Sequence, residues 1–118
     1  MKILVVEDEP KALELLMRHF QDQGHQVLAS ATGEEALELL RQQKPELILL
    51  DLWLKGRLNG LGVLKESKQF LPKAAVIVIT GLDESPHEDV LRLGAAAFLK
   101  KPIRLEELDH LLGRLCGR

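Results

Sequence analysis

The sequence predicts an α/β fold: a parallel sheet with helices on both faces, formed as a single domain over residues 1–118. Three observations predict it. Short apolar runs alternate five times with longer amphipathic segments. Most of the runs are continuously apolar, which suits strands covered on both faces. The segments between them begin and end with helix-capping residues. Strands alternating with helices imply right-handed crossovers, and hence a parallel sheet between helix layers.

The first apolar run is Ile3–Val6. It precedes a segment in which Leu13, Leu16, Met17 and Phe20 recur at i, i+3, i+4 and i+7, one face of a helix. Pro10 falls in its first turn, where a missing N–H costs nothing, and Gly24 marks its stop. The second run is Gln26–Ala29. Thr32 and Glu35 then have capping-box spacing ahead of Leu37 and Leu40. The third run, Leu47–Leu50, ends at Asp51. A third helix is expected over Gly60–Leu71, with Leu61, Leu64 and Leu71 as its buried positions. The fourth run, Val76–Ile79, ends at Thr80-Gly81. Ser85, Pro86 and Glu88 form a second capping signature, and Gly94 ends the helix they start. The fifth run, Ala97–Leu99, leads to Lys100-Lys101-Pro102 and a last stripe of Leu105, Leu108, Leu112 and Leu115.

Composition narrows the function. Sixteen Lys and Arg against 18 Asp and Glu give a net charge of −2, which argues against a basic nucleic-acid surface. The single cysteine, Cys116, makes no internal disulfide, and no Cys/His cluster has metal-ligand spacing. The apolar run after Met1-Lys2 is too short for a secretory leader, and no run approaches a membrane span. A cytoplasmic location is therefore expected. Aromatics are scarce: Phe20, Phe70, Phe98 and Trp53. A core built mainly from the 26 leucines is expected.

In open sheets of this kind the site lies beyond the carboxyl ends of the strands. Glu7-Asp8-Glu9 follows the first run, Asp51 the third, Thr80-Gly81 the fourth and Lys100-Lys101-Pro102 the fifth. Glu7, Asp8 and Asp51 would gather up to three carboxylates in one crevice. Two such charges in contact repel by roughly 4 kcal/mol at an effective dielectric of about 20. Such a cluster persists by holding protons or by recruiting a cation, and oxygen ligands favour a hard ion such as Mg²⁺. An ionised Asp is a competent nucleophile towards phosphorus. Thr80 and a lysine would then meet phosphoryl oxygens, and Gly81 would leave room for the group. Each residue alone has a plainer explanation, as a helix cap, a turn or a strand end. Their joint delivery to one sheet edge is the informative feature.

Four stretches, Ile3-Leu4-Val5-Val6-Glu7-Asp8-Glu9-Pro10, Leu49-Leu50-Asp51-Leu52, Ile79-Thr80-Gly81 and Phe98-Leu99-Lys100-Lys101-Pro102, carry a family resemblance. Together they resemble the receiver domain of bacterial two-component response regulators, in its single-domain, chemotaxis-regulator-like form, from Lys2 to about Leu115. The resemblance implies a flavodoxin-like three-layer α/β/α fold with strand order 2-1-3-4-5 and five flanking helices. It implies that Asp51 is the phosphoacceptor and that Mg²⁺ is held by Glu7, Asp8, Asp51 and the backbone carbonyl of Trp53. By the same resemblance Thr80 is the switch hydroxyl, Phe98 the aromatic switch and Lys101 the essential lysine. The Lys101-Pro102 bond is then expected to be cis, which would aim the lysine into the site.

Two departures stand out. Lys55 replaces the family's proline, and Gly60 comes nine residues after Asp51 rather than eight, so the intervening loop is one residue longer. Lys55 and Arg57 add positive charge there. Trp53 and Leu82, each two residues past a site residue, would slow attack of water on a phospho-Asp.

The resemblance implies partners as well: a histidine kinase or histidine phosphotransfer protein as donor, and a downstream protein reading the surface of the fourth helix, fifth strand and fifth helix. No direct nucleic-acid or membrane partner is expected, and the chain would be a monomer or a phosphorylation-dependent dimer. It would take up and lose its own phosphoryl group rather than turn over a substrate. A stand-alone regulator is the expectation; a phosphorelay shuttle and a piece of a longer protein are the other two forms. Two competing readings are a pseudo-receiver, which the intact residue set opposes, and an aspartate-nucleophile phosphatase, which needs a second Asp where Trp53 stands. His19, His25, His87 and His110 lie away from the strand ends and are expected to be solvated, without a phosphodonor role.

Overall fold

The computed structural model describes residues 1–54, 60–81 and 87–115. Five parallel strands, β1 (Lys2–Val6), β2 (Gln26–Ser30), β3 (Leu47–Asp51), β4 (Ala75–Thr80) and β5 (Ala97–Lys100), form one sheet in the order 2-1-3-4-5. A helix follows each strand: α1 (Pro10–Asp22), α2 (Gly33–Gln43), α3 (Gly60–Phe70) and α4 (His87–Arg92) connect successive strands, and α5 (Leu105–Leu115) follows β5.

Strand side chains alternate between two cores, one on each face of the sheet. Leu4, Val6, Ile48, Leu50, Val76 and Val78 pack with Ala36, Leu40, Val63, Leu64 and Val90, on the side covered by α2, α3 and α4. Ile3, Val5, Leu47, Leu49, Ile77 and Ile79 pack with Leu16, Phe20, Leu108 and Leu112, on the side covered by α1 and α5. The central strands β1, β3 and β4 are almost wholly buried because each has a strand neighbour on both sides and a helix layer above and below. The edge strand β2 is only partly covered.

The capping residues act as their spacing predicts. Pro10 is the first helical residue of α1, and the Glu9 carboxylate accepts from the Lys11 and Ala12 N–H groups. Thr32 Oγ1 accepts from the Glu35 N–H at 3.1 Å. Glu35 reaches back to the Ala31 N–H at 3.2 Å, one residue before the cap. Gly24 and Gly94 take positive φ after their helices. The end of α2 had no glycine signal. Lys44 itself turns left-handed there, ahead of Pro45.

The buried stripe of α3 differs from expectation. Gly60, Val63, Leu64 and Ser67 face the core, while Leu61 and Leu71 are half-buried. A serine fits that stripe because its hydroxyl donates to the Leu64 carbonyl at 2.8 Å, one turn back. In α5 Leu108 and Leu112 are buried, whereas Leu115, on its last turn, is exposed. Lys55, Arg57, Leu82, Ser85, Pro86 and Cys116 lie outside the described residues. Among the described residues, no helix is long and apolar enough to cross a membrane.

Candidate functional site

All five strands run parallel, so their carboxyl ends share one edge of the sheet. Register then decides which side chains meet there. Glu7 directly follows β1, and its N–H donates to the Ser30 carbonyl of β2 at 3.0 Å. Asp51 ends β3 opposite Ile79, and the next residue, Leu52, donates its N–H to the Ile79 carbonyl at 3.1 Å. Thr80 ends β4 opposite Lys100. The Lys101 N–H donates to the Thr80 carbonyl at 2.8 Å, which brings that lysine to the same edge.

The three carboxylates come together. Glu7, Asp8 and Asp51 each offer an oxygen within 4.8 Å of the others. Glu7 is 1 % exposed and Asp51 3 %; Asp8 is half-buried, and Thr80 is fully buried. The Lys101 ammonium bridges the first pair, with Nζ 2.8 Å from Glu7 Oε1 and 3.1 Å from Asp51 Oδ2. The other oxygens of both groups accept backbone donors. Asp51 Oδ1 accepts the Trp53 N–H at 3.0 Å, and Glu7 Oε2 accepts the Asp8 N–H at 3.1 Å. The Lys101-Pro102 bond is cis.

Burial pushes the Glu7 carboxyl up to about 7, and hydrogen bonding to Asp51 and that group's charge push the same way, against the pull of Lys101. Burial alone would lower the Lys101 ammonium. Its hydrogen bonds to Glu7 and Asp51 outweigh that and raise it above its ordinary value. The site thus holds more negative charge than one lysine offsets. Its donors are hard carboxylate oxygens converging from two strand ends, which fits a small hard dication such as Mg²⁺.

Phe98, on β5, is half-buried against the core on the α2–α4 side. Trp53 is 51 % exposed beside the site. Gly81 has no crowded neighbour. A methyl group there would meet the Lys101 side chain at an ordinary 3.6 Å, so space beside the lysine does not require the glycine. Two expectations for the histidines are corrected. His19 is half-buried, with Nε2 2.8 Å from Asp109 Oδ1, and ties α1 to α5. His25 is half-buried with Nδ1 3.0 Å from the terminal ammonium. Both pack beside Phe20, so they are shielded by the core edge rather than solvated. Sequence reading missed the Trp53 N–H and the Asp8 N–H as supports of the carboxylates, because backbone donors leave no residue-type signal. A cavity of about 780 Å³, lined by Met1, His25, Phe70, Leu71 and Leu112 among others, opens at the opposite edge of the sheet, where the strands begin.

The profile of the response regulator receiver domain matches residues 3–112. An NtrX-like response regulator of Rickettsia felis is 30 % identical over 97 % of the chain, which spans 24 % of that protein's length. Sporulation initiation phosphotransferase F of Bacillus subtilis is 32 % identical over 91 % of the chain and 86 % of its own length. Among solved structures, the receiver domain of NtrX from Brucella abortus superposes with a TM-score of 0.90 at 32 % identity, covering 98 % of both chains. The receiver domain of the sensor histidine kinase PA1611 from Pseudomonas aeruginosa was solved with a magnesium ion coordinated in its active-site cleft. It gives a TM-score of 0.87 at 26 % identity, covering 99 % of this chain and 98 % of its own.

Proposed function

The chain belongs to the response regulator receiver domain family, and from that premise we propose that Asp51 accepts a phosphoryl group in a Mg²⁺-dependent step of phosphorelay signalling. The observation that carries the proposal is the cluster itself: three carboxylates, two of them buried, with Lys101 bridging Glu7 and Asp51. The donor would be a histidine kinase or histidine phosphotransfer protein, in the cytoplasm, and the output a change in binding to a protein partner.

An Asp51 carboxylate oxygen attacks phosphorus, the P–N bond of the phosphohistidine breaks, and the electron pair leaves with the imidazole nitrogen. Glu7, Asp8, Asp51 and the Trp53 carbonyl would hold Mg²⁺. Bound there, the ion would offset the negative charge that repels an incoming phosphoryl group. Lys101 is positioned to exchange its bond to Asp51 for one to a phosphoryl oxygen, with its partly buried ammonium already aimed at the site. Thr80, buried at the end of β4, would turn its hydroxyl to another oxygen. Phe98 lies in the neighbouring strand, paired with Val78 two residues before Thr80. Movement of Thr80 would reach the exposed face of α4, β5 and α5 through Phe98, a two-state element biased by a local charge event.

Trp53 supplies the test, because the only tryptophan lies two residues from Asp51 and donates to it. Mg²⁺ followed by beryllofluoride should change its fluorescence, and Asp51→Asn should abolish the beryllofluoride response. Absence of a Mg²⁺ response at millimolar concentration, or an unchanged response in Asp51→Asn, would refute the proposal.

A further inference from the structure

The approach of α3 to the end of β3 is closer than any side chain allows. The first residue of α3, Gly60, donates its N–H to the Leu52 carbonyl at 2.9 Å. A Cβ on Gly60 would overlap Leu52 Cα and lie 2.6 Å from the Asp51 carbonyl oxygen and 2.7 Å from that of Leu52. All three atoms are backbone, so no side-chain rotation relieves the overlap. Leu52 has little freedom to retreat. Its side chain is buried, and its N–H is bonded to Ile79 of β4 on the other side. The start of α3 is equally held, by Val63 and Leu64 in the core.

We infer that Gly60 is a positioning residue for Asp51. Its missing side chain lets α3 clamp the Asp51–Leu52 backbone against β4 and so sets where the Asp51 carboxylate points. The inference rests on the phosphoacceptor reading of Asp51. The clamped segment carries both the carboxylate and, one residue on, the Trp53 N–H that orients Asp51 Oδ1. A shift of a few tenths of an ångström there moves the nucleophile relative to Lys101, which is anchored separately through Thr80.

The experiment compares Gly60→Ala with Gly94→Ala. Gly94 has φ +107° and a Cβ position 3.1 Å from the Lys68 side chain, at the far end of α4, so its variant is strained away from the site. Both are measured in sucrose, which favours the folded state. Gly60→Ala should weaken Mg²⁺ binding, read by Trp53 fluorescence, and slow phosphorylation by acetyl phosphate, each by roughly tenfold or more, as sub-ångström misplacement of a reacting group does. Gly94→Ala should match the wild type in both. In metal-free protein, the Leu52 and Trp53 amide resonances should move in Gly60→Ala only. Equal affinity and rate in the two variants, with unmoved resonances, would overturn the inference while leaving the phosphoacceptor reading intact. A second measurement needs no variant: Mg²⁺ with beryllofluoride should slow hydrogen exchange at the wild-type Gly60 amide, and unchanged exchange counts against the clamp. A wild-type chain that neither binds Mg²⁺ nor accepts a phosphoryl group would remove the reading, and this inference with it.

Discussion

Glu7 holds its proton up to about pH 7, where an ordinary glutamate is ionised above 4.5. The cause is position. The residue just past β1 is buried, and a second carboxylate lies against it. Because the folded value lies above the unfolded one, the folded chain binds this proton more tightly. The stability it contributes is fully present below about pH 4.5 and is lost as pH rises through about 7. A cation at the site must displace that proton. Apparent Mg²⁺ affinity should therefore rise about tenfold per pH unit up to about pH 7 and then level off. Trp53 fluorescence titrations across this range check it, and Glu7→Gln should flatten the profile. Affinity that stays constant in the wild type would contradict the assignment. The residue types at the site were legible as a set of acids, a hydroxyl and a lysine at strand ends. Their protonation was not, since it depends on burial and on which oxygens share a partner.

Capping residues made the elements readable at their starts. Thr32 illustrates the scale: one hydroxyl satisfies one N–H that α2 leaves unpaired, that of Glu35. Thr32→Ala should cost about 1 kcal/mol and Thr32→Asn much less, since Asn also caps. Urea unfolding of the two variants measures the difference, and equal losses would show that the hydroxyl is not what matters. Two element-level expectations were altered by packing. The fully buried stripe of α3 runs through Gly60, Val63, Leu64 and Ser67, while Leu61 and, just past the helix, Leu71 pack only partly against the same core. Hydrophobicity alone pointed to the leucines; the serine is accommodated by a bond to its own helix. His19 joins α1 to α5 through Asp109, 90 residues away, a pairing with no local signature.

Across the whole molecule, binding at the sheet edge should be felt as stability. A ligand that binds only the folded chain adds about 2.7 kcal/mol at a hundred times its dissociation constant. For a domain of this size that corresponds to a rise of roughly 10 °C in the unfolding midpoint. Thermal melts with Mg²⁺ and with a chelator should show this separation, and Asp51→Asn should reduce it; identical melts in the wild type would mean that the carboxylates do not hold the ion. The alternation of apolar runs and amphipathic segments by itself determined the α/β class, the parallel sheet and the edge at which chemistry would gather. Those follow from local physics: periodicity, caps, and the handedness of crossovers. Only the tertiary structure decided that Lys101 bridges Glu7 and Asp51, that burial raises the Glu7 carboxyl, and that Gly60 packs directly against the Asp51–Leu52 backbone. These depend on distances between residues far apart in sequence, set by strand register and the close packing of a helix on a strand end, and residue types alone do not encode them.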